Sequence, residues 1–177
     1  MPDMNLILIG YRGCGKTTLG IKLAHQLWKD FVDTDQEACR RFGIDSIAEI
    51  WEKHGEPAWR DMEVQVTRDV LKRDNQVIAL GGGTVMQPDA RQAIADAPNA
   101  RRIYLYCQPD ELLRRIQTDA QTAAARPNLT SLGGGLAEVQ AVLDERDPVY
   151  RQLADAVFNV THTNPDEALR HLIARHL

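Results

Sequence analysis

The sequence predicts an α/β protein built on a parallel β-sheet. Three observations carry this expectation. Short apolar runs alternate with longer amphipathic ones throughout the 177 residues. Several short runs are apolar at every position, as expected of strands covered on both faces. The first short run opens into a glycine-rich loop, which leads directly into an amphipathic stretch.

The strands are read at residues 5–10 (NLILIG), 31–33 (FVD), 77–81 (VIALG), 102–107 (RIYLYC) and 156–160 (AVFNV). Residues 16–28 form a helix, with Leu19, Leu23 and Leu27 on one face at i, i+4 and i+8. Residues 45–55 form another, capped by Asp45 or Ser46 and closing on Gly55. A helix over 60–74 carries Val66, Val70 and Leu71 on its apolar stripe. Helices at 88–97 and 109–117 each begin with proline, whose fixed φ suits a first turn. The last helix covers 164–177. Residues 34–60 form a mostly helical insertion after the second strand. Residues 118–135 carry few large apolar groups and end in three glycines, which predicts a mobile segment. No internal repeat or linker divides the chain, so residues 1–177 are expected to form one domain.

Composition narrows the function. The net charge of -4 gives no general basic excess for binding a nucleic-acid backbone. No apolar run approaches a membrane span, and the N-terminus lacks the basic region of a signal peptide. Cys14, Cys39 and Cys107 are far apart and read as free thiols in a reducing compartment, here the cytoplasm. The five histidines show no metal-binding spacing.

Gly10-Tyr11-Arg12-Gly13-Cys14-Gly15-Lys16-Thr17 fits G-x-x-x-x-G-K-[ST], with a strand before it and a helix after it. The glycines let backbone N–H groups turn inward toward an anion. The helix beginning near Lys16 aims its positive end at the same point. Lys16 adds a charge at the β- and γ-phosphates, and the Thr17 hydroxyl suits Mg²⁺. The loop therefore predicts nucleotide binding. No NKxD guanine motif follows, and the only strand with acids at its end is FVDTD. On a strand, Asp33 and Asp35 would share one face. The C-terminal ends of strands line the ligand crevice of such sheets, so both carboxylates are expected beside the loop. One acid could organise hydrated Mg²⁺ while the other accepts a proton from an attacking hydroxyl. The alternative is a turn in which Asp35 caps a helix at 36–42.

Six stretches in order complete the pattern: GYRGCGKTT, FVDTD, GEPAWRDME, VIALGGGTV, RPNLT and ERDPVYRQLA. Together they resemble the shikimate kinases from near the first strand to the last helix. The resemblance implies a P-loop kinase fold: a five-stranded parallel sheet flanked by helices, a helical substrate-binding insertion at about 34–60, and a mobile lid at about 116–135. It also implies ATP-dependent phosphorylation of the 3-hydroxyl of shikimate, on the route to chorismate and the aromatic amino acids.

Under that resemblance, Gly13, Cys14, Gly15, Lys16, Thr17 and Thr18 would wrap the ATP phosphates. Thr17 and Asp33 would serve Mg²⁺, with Asp33 acting through water. Asp35 would bind the substrate hydroxyls and act as base or orienting group. Arg60 and Arg146 would hold the substrate carboxylate, and Gly82 would present backbone N–H. Trp51 and Trp59 would wall the pocket. Arg115, or Arg114 beside it, would pack near the adenine, and Arg126 would close from the lid. The protein would be a monomer with shikimate and ATP as its only partners. The residues agree with this chemistry: a planar arginine fork grips a carboxylate in a bidentate way. Cys14, at the start of a helix, is expected to react with alkylating agents and to be protected by nucleotide. Two rival readings are another small-molecule kinase, such as a gluconate kinase, and a non-catalytic nucleotide-binding module.

Overall fold

The computed structural model describes residues 3–119 and 133–176. Five strands form the sheet: β1 (Asn5–Ile9), β2 (Asp30–Asp33), β3 (Gln76–Ala79), β4 (Ala100–Tyr106) and β5 (Ala156–Asn159). All pairings are parallel, and the order is β2-β3-β1-β4-β5. Burial follows position in the sheet. All five residues of central β1 and all four of β3 are buried, whereas edge strand β2 has no buried residue and edge strand β5 has one. This is why β1 is apolar at every position after Asn5 while DFVD is not: only interior strands are covered on both faces and both sides.

The helices are α1 (Lys16–Leu27), α2 (Thr34–Phe42), α3 (Ile47–Val70), α4 (Pro88–Asp96), α5 (Pro109–Thr118), α6 (Leu136–Leu153) and α7 (Pro165–His176). A 3-10 turn at Thr84–Met86 follows β3. α1 packs on β2 and β3 and meets α7, while α3 packs on α4 and α5 on α6. Gly20 lets α1 approach the sheet closely, because a Cβ there would lie 2.5 Å from the Phe31 ring. The buried apolar residues form one cluster running from Leu6 in β1 to Leu172 in α7.

The expected strands are all present, with ends shifted by one or two residues. Three differences matter. First, β2 ends at Asp33 and α2 begins at Thr34, so Asp33 and Asp35 do not share a strand face. Asp33 caps α2: its carboxylate accepts hydrogen bonds from Asp35 N and Gln36 N. The alternative reading, a helix cap, holds in part: the cap is Asp33 rather than Asp35. Second, the helices read at 45–55 and 60–74 are one run, broken at Gly55 with φ 82° and ψ 156° and ending at Val70. Ser46 caps it, with Oγ accepting from Glu49 N, so Asp45 does not. Third, α6 has no counterpart in the sequence reading. Pro148 sits inside it and breaks the pattern of helix formers. The lid segment with Arg126 lies largely outside the described residues.

Candidate active site

The loops leaving the C-terminal ends of the strands converge on two adjoining cavities, the usual place for ligands on such a sheet. The larger is a cleft of about 930 Å³ over the glycine-rich loop. Gly13, Gly15, Lys16, Thr17, Thr18 and Asp33 line one part of it, and the 160–165 loop with α5 lines another. Gly13 and Gly15 adopt φ of 80° and 96°, a region that side chains with a Cβ avoid. Lys16 folds back over the loop, where Nζ donates to the carbonyls of Gly10 and Tyr11, each at 2.8 Å.

Thr17 Oγ1 donates to Asp33 Oδ2 at 2.7 Å. Asp33 Oδ1 meanwhile accepts from the first turn of α2. One carboxylate thus joins the start of α1 to the start of α2. A hydroxyl and a carboxylate oxygen beside a phosphate cradle form a hard donor set that fits Mg²⁺. Asp35 follows in the first turn of α2 and is 8% exposed. Its placement is anchored by Thr34, whose Oγ1 donates to Ala79 O and accepts from Gly81 N.

The narrower cavity is lined by Arg12, Asp35, Ile47, Trp51, Trp59, Arg60, Glu63, Gly82, Gly83 and Arg146. It brings together all six residues expected to hold a carboxylated polyol, from α2, both halves of α3, the glycine loop and α6. The Arg60 guanidinium bonds Glu56 and Glu63 and lies over the Trp51 ring at 5.3 Å. Trp51 Nε1 is a buried donor with no hydrogen-bond partner among the described residues. The three glycines after β3 are fixed by space. A Cβ on Gly81 would strike Asp35 Oδ1, one on Gly82 would press the phosphate loop's backbone, and one on Gly83 would meet Arg60 at 2.7 Å.

Arg115 and Arg114 both line the large cleft, but they differ. Arg115 bonds Glu111 and the carbonyls of Val160 and Thr161, and its side chain is 22% exposed. Arg114 bonds only Glu111 among these groups and its side chain is 63% exposed. Hydrogen bonds from Arg114 and then Arg115 hold the Glu111 carboxyl down to about 2. Cys14 borders the large cleft with the rest of the loop but is 2% exposed, with Sγ near Lys16 Nζ and Gly10. Burial of this degree favours slow alkylation. Arg126 lies outside the described residues.

Three residues went unread in the sequence. Glu63 is 3% exposed and accepts from Arg60 and from Thr84 Oγ1. Burial, and then the Asp35 charge, push its carboxyl above the usual range, against the pull of Arg60. Its three-residue spacing from Arg60 on one helix was the available signal. Glu138 is fully buried and bonds Arg12 at 3.2 Å. Tyr150 is fully buried and its hydroxyl donates to Gly82 O at 2.6 Å. The last two pairs join positions 126 and 68 residues apart, with no local signature.

A sequence profile described as shikimate kinase matches residues 12–176. The chain belongs to the shikimate kinase family. A shikimate kinase from Rhodopirellula baltica is 40% identical over 173 residues, covering 98% of this chain and 90% of that protein. The structure of an Acinetobacter baumannii shikimate kinase in complex with shikimate superposes with a TM-score of 0.82. It is 30% identical and covers 98% of this chain and 95% of that one. A gluconokinase from Sinorhizobium meliloti, at 13% identity and a TM-score of 0.53, shares the fold alone. The parallel sheet, the helices that flank it and the loop after β1 are those of a P-loop kinase fold, as the shikimate kinase neighbours share it.

Proposed function

We propose that this chain transfers the γ-phosphoryl group of ATP to the 3-hydroxyl of shikimate, working as a single domain. The observation that carries this reading is the shared wall of the two cavities. Arg12, Asp35 and Gly82 line both, so a phosphate chain in the large cleft and a polyol in the narrow one would meet at these residues.

In this reading the backbone N–H groups of residues 13–18 and the Lys16 ammonium cradle the triphosphate. Lys16 exchanges its two carbonyl partners for phosphate oxygens. Thr17, and Asp33 through water, would hold Mg²⁺, which would supply charge neutralisation at the phosphates. Arg60 and Arg146 grip the substrate carboxylate, Trp51 and Trp59 wall the ring, and Gly82 N–H meets a ring hydroxyl. Asp35 accepts the hydroxyl proton or orients that group for in-line attack. Arg115, tied between α5 and the 160–165 loop, borders the adenine, and Arg126 completes the site from the lid. The buried free cysteines favour a cytoplasmic enzyme.

An ADP-release assay with ATP, Mg²⁺ and either shikimate or gluconate tests the reading. Turnover is expected with shikimate only. Turnover with gluconate alone, or tight nucleotide binding with neither acceptor phosphorylated, would overturn it.

A further inference from the structure

Two buried threonines, Thr34 and Thr84, line neither cavity, yet both bond the same residue of the glycine turn. Gly81 N donates to Thr34 Oγ1 at 2.9 Å, and Gly81 O accepts from Thr84 N at 3.1 Å. Both backbone polar groups of Gly81 are therefore held by a threonine. The two hydroxyls then commit their protons to different elements. Thr34 Oγ1 donates to Ala79 O of β3 at 3.4 Å, and Thr84 Oγ1 donates to Glu63 Oε1 of α3 at 3.0 Å.

The chain of bonds continues from Glu63, whose Oε2 accepts from Arg60 Nη1 at 2.7 Å. At its other end, Asp35 follows Thr34 in the first turn of α2, and Asp35 Oδ1 occupies the space that a Gly81 Cβ would take. An unbroken run of hydrogen bonds thus leads from the residue beside Asp35, through the Gly81 backbone, to the Arg60 guanidinium. Asp35 and Arg60 both line the narrow cavity.

We propose that Thr34 and Thr84 are positioning residues that set the spacing between Asp35 and Arg60, with the Gly81 backbone as their shared anchor. This rests on placing the reacting hydroxyl of the acceptor at Asp35 and its carboxylate at Arg60. On a rigid ring those two groups are a fixed distance apart, so a frame that holds both protein groups in advance lowers the ordering cost and aligns the hydroxyl. Thr34 serves the reacting end and Thr84 the carboxylate end, so the two should act on different kinetic constants.

Steady-state kinetics test this. Thr34→Val keeps the side-chain shape without the hydroxyl. It is expected to lower kcat about ten- to hundredfold, the scale of a small misplacement at a reacting group, with the KM for ATP within about twofold. Thr34→Ser restores the hydroxyl and should return kcat to within about threefold of the parent. Thr84→Val is expected to raise the KM for shikimate about five- to thirtyfold, as for a lost hydrogen bond to a charged group, with kcat within about threefold. Thr67 is a control: its buried hydroxyl on α3 has no hydrogen-bond partner among the described residues, so Thr67→Val should leave every constant within about twofold. In the Asp35→Asn background the Thr34→Val effect on kcat should shrink to about twofold or less, because Thr34 acts through Asp35.

An unchanged kcat in Thr34→Val, no rescue by serine, an equal rise in the KM for ATP, an unchanged shikimate KM in Thr84→Val, equal losses from Thr67→Val, or fully multiplicative effects with Asp35→Asn would each overturn the frame. An undiminished kcat in Asp35→Asn, or an unchanged shikimate KM in Arg60→Lys, would instead overturn the placement of the acceptor itself. Should either valine variant fail to fold, cysteine at that position keeps the size with only a weak hydrogen-bonding group. The folded cysteine variant is expected to be worse than the serine variant by at least about threefold in the same constant, and parity between the two would overturn the proposal.

Discussion

Asp33 and Asp35 are two residues apart, but they sit in different surroundings. Asp33 spends one oxygen on the Thr17 hydroxyl and the other on the start of α2. Asp35 lies two residues on, in the first turn of α2, against Gly81 and close to the buried Glu63. A second acid nearby and a site largely shielded from water favour proton transfer at Asp35 over a surface role. Asp35→Asn is expected to lower kcat by about 10²- to 10⁴-fold with the fold intact, the usual span for a general base. A loss under threefold in the ADP-release assay would remove Asp35 from the chemistry. Cys14 calls for the opposite experiment from the one its sequence position suggests. Because it is buried, iodoacetamide should label it slowly in the native protein and rapidly in urea, and ATP should change the native rate little. Fast native labelling at Cys14, read by mass spectrometry, would contradict its burial.

At the scale of elements, α5 illustrates how one acid can organise a helix face. Glu111 takes Arg114 and Arg115, and Arg115 continues to the loop after β5. The Glu111 carboxyl is depressed from 4.5 to about 2, so its contribution to stability is full above pH 4.5 and fades as pH falls toward 2. Glu111→Gln should therefore destabilise the protein by a few tenths to about 1 kcal/mol at pH 7, in keeping with partly exposed pairs. Urea unfolding at pH 7 and pH 3 checks this, and the gap should be narrower at pH 3. Elements were read well wherever the signal was local. The five strands followed from short apolar runs, and the break in α3 from Gly55. The site was less legible. The phosphate loop is a contiguous stretch, so its glycines, Lys16 and Thr17 announce themselves. Arg60, Gly82 and Arg146 come from three distant segments, and only the family resemblance joined them. The acids were found as a pair, but the reasoning from strand alternation failed, because the chain turns into α2 between them. Glu138 and Tyr150 were invisible because their partners are brought near by the fold alone.

For the whole molecule, two cavities that meet at one wall predict separable ligand effects. ADP with Mg²⁺ and shikimate should each raise Tm when added alone. At one hundred times Kd, each supplies about 2.7 kcal/mol, or roughly 5–10 °C for a chain of this size. Differential scanning fluorimetry reads both, and a shift with shikimate that appears only after nucleotide is present would mean that the narrow cavity is not preformed. The glycine triplet at that wall has a further consequence for inhibitor design. Gly81, Gly82 and Gly83 each face a different neighbour: the acid of α2, the phosphate loop and Arg60. A Cβ at each position would meet one of them, so, on the roles proposed for these residues, an inhibitor resting on this backbone would meet few viable escape mutations there.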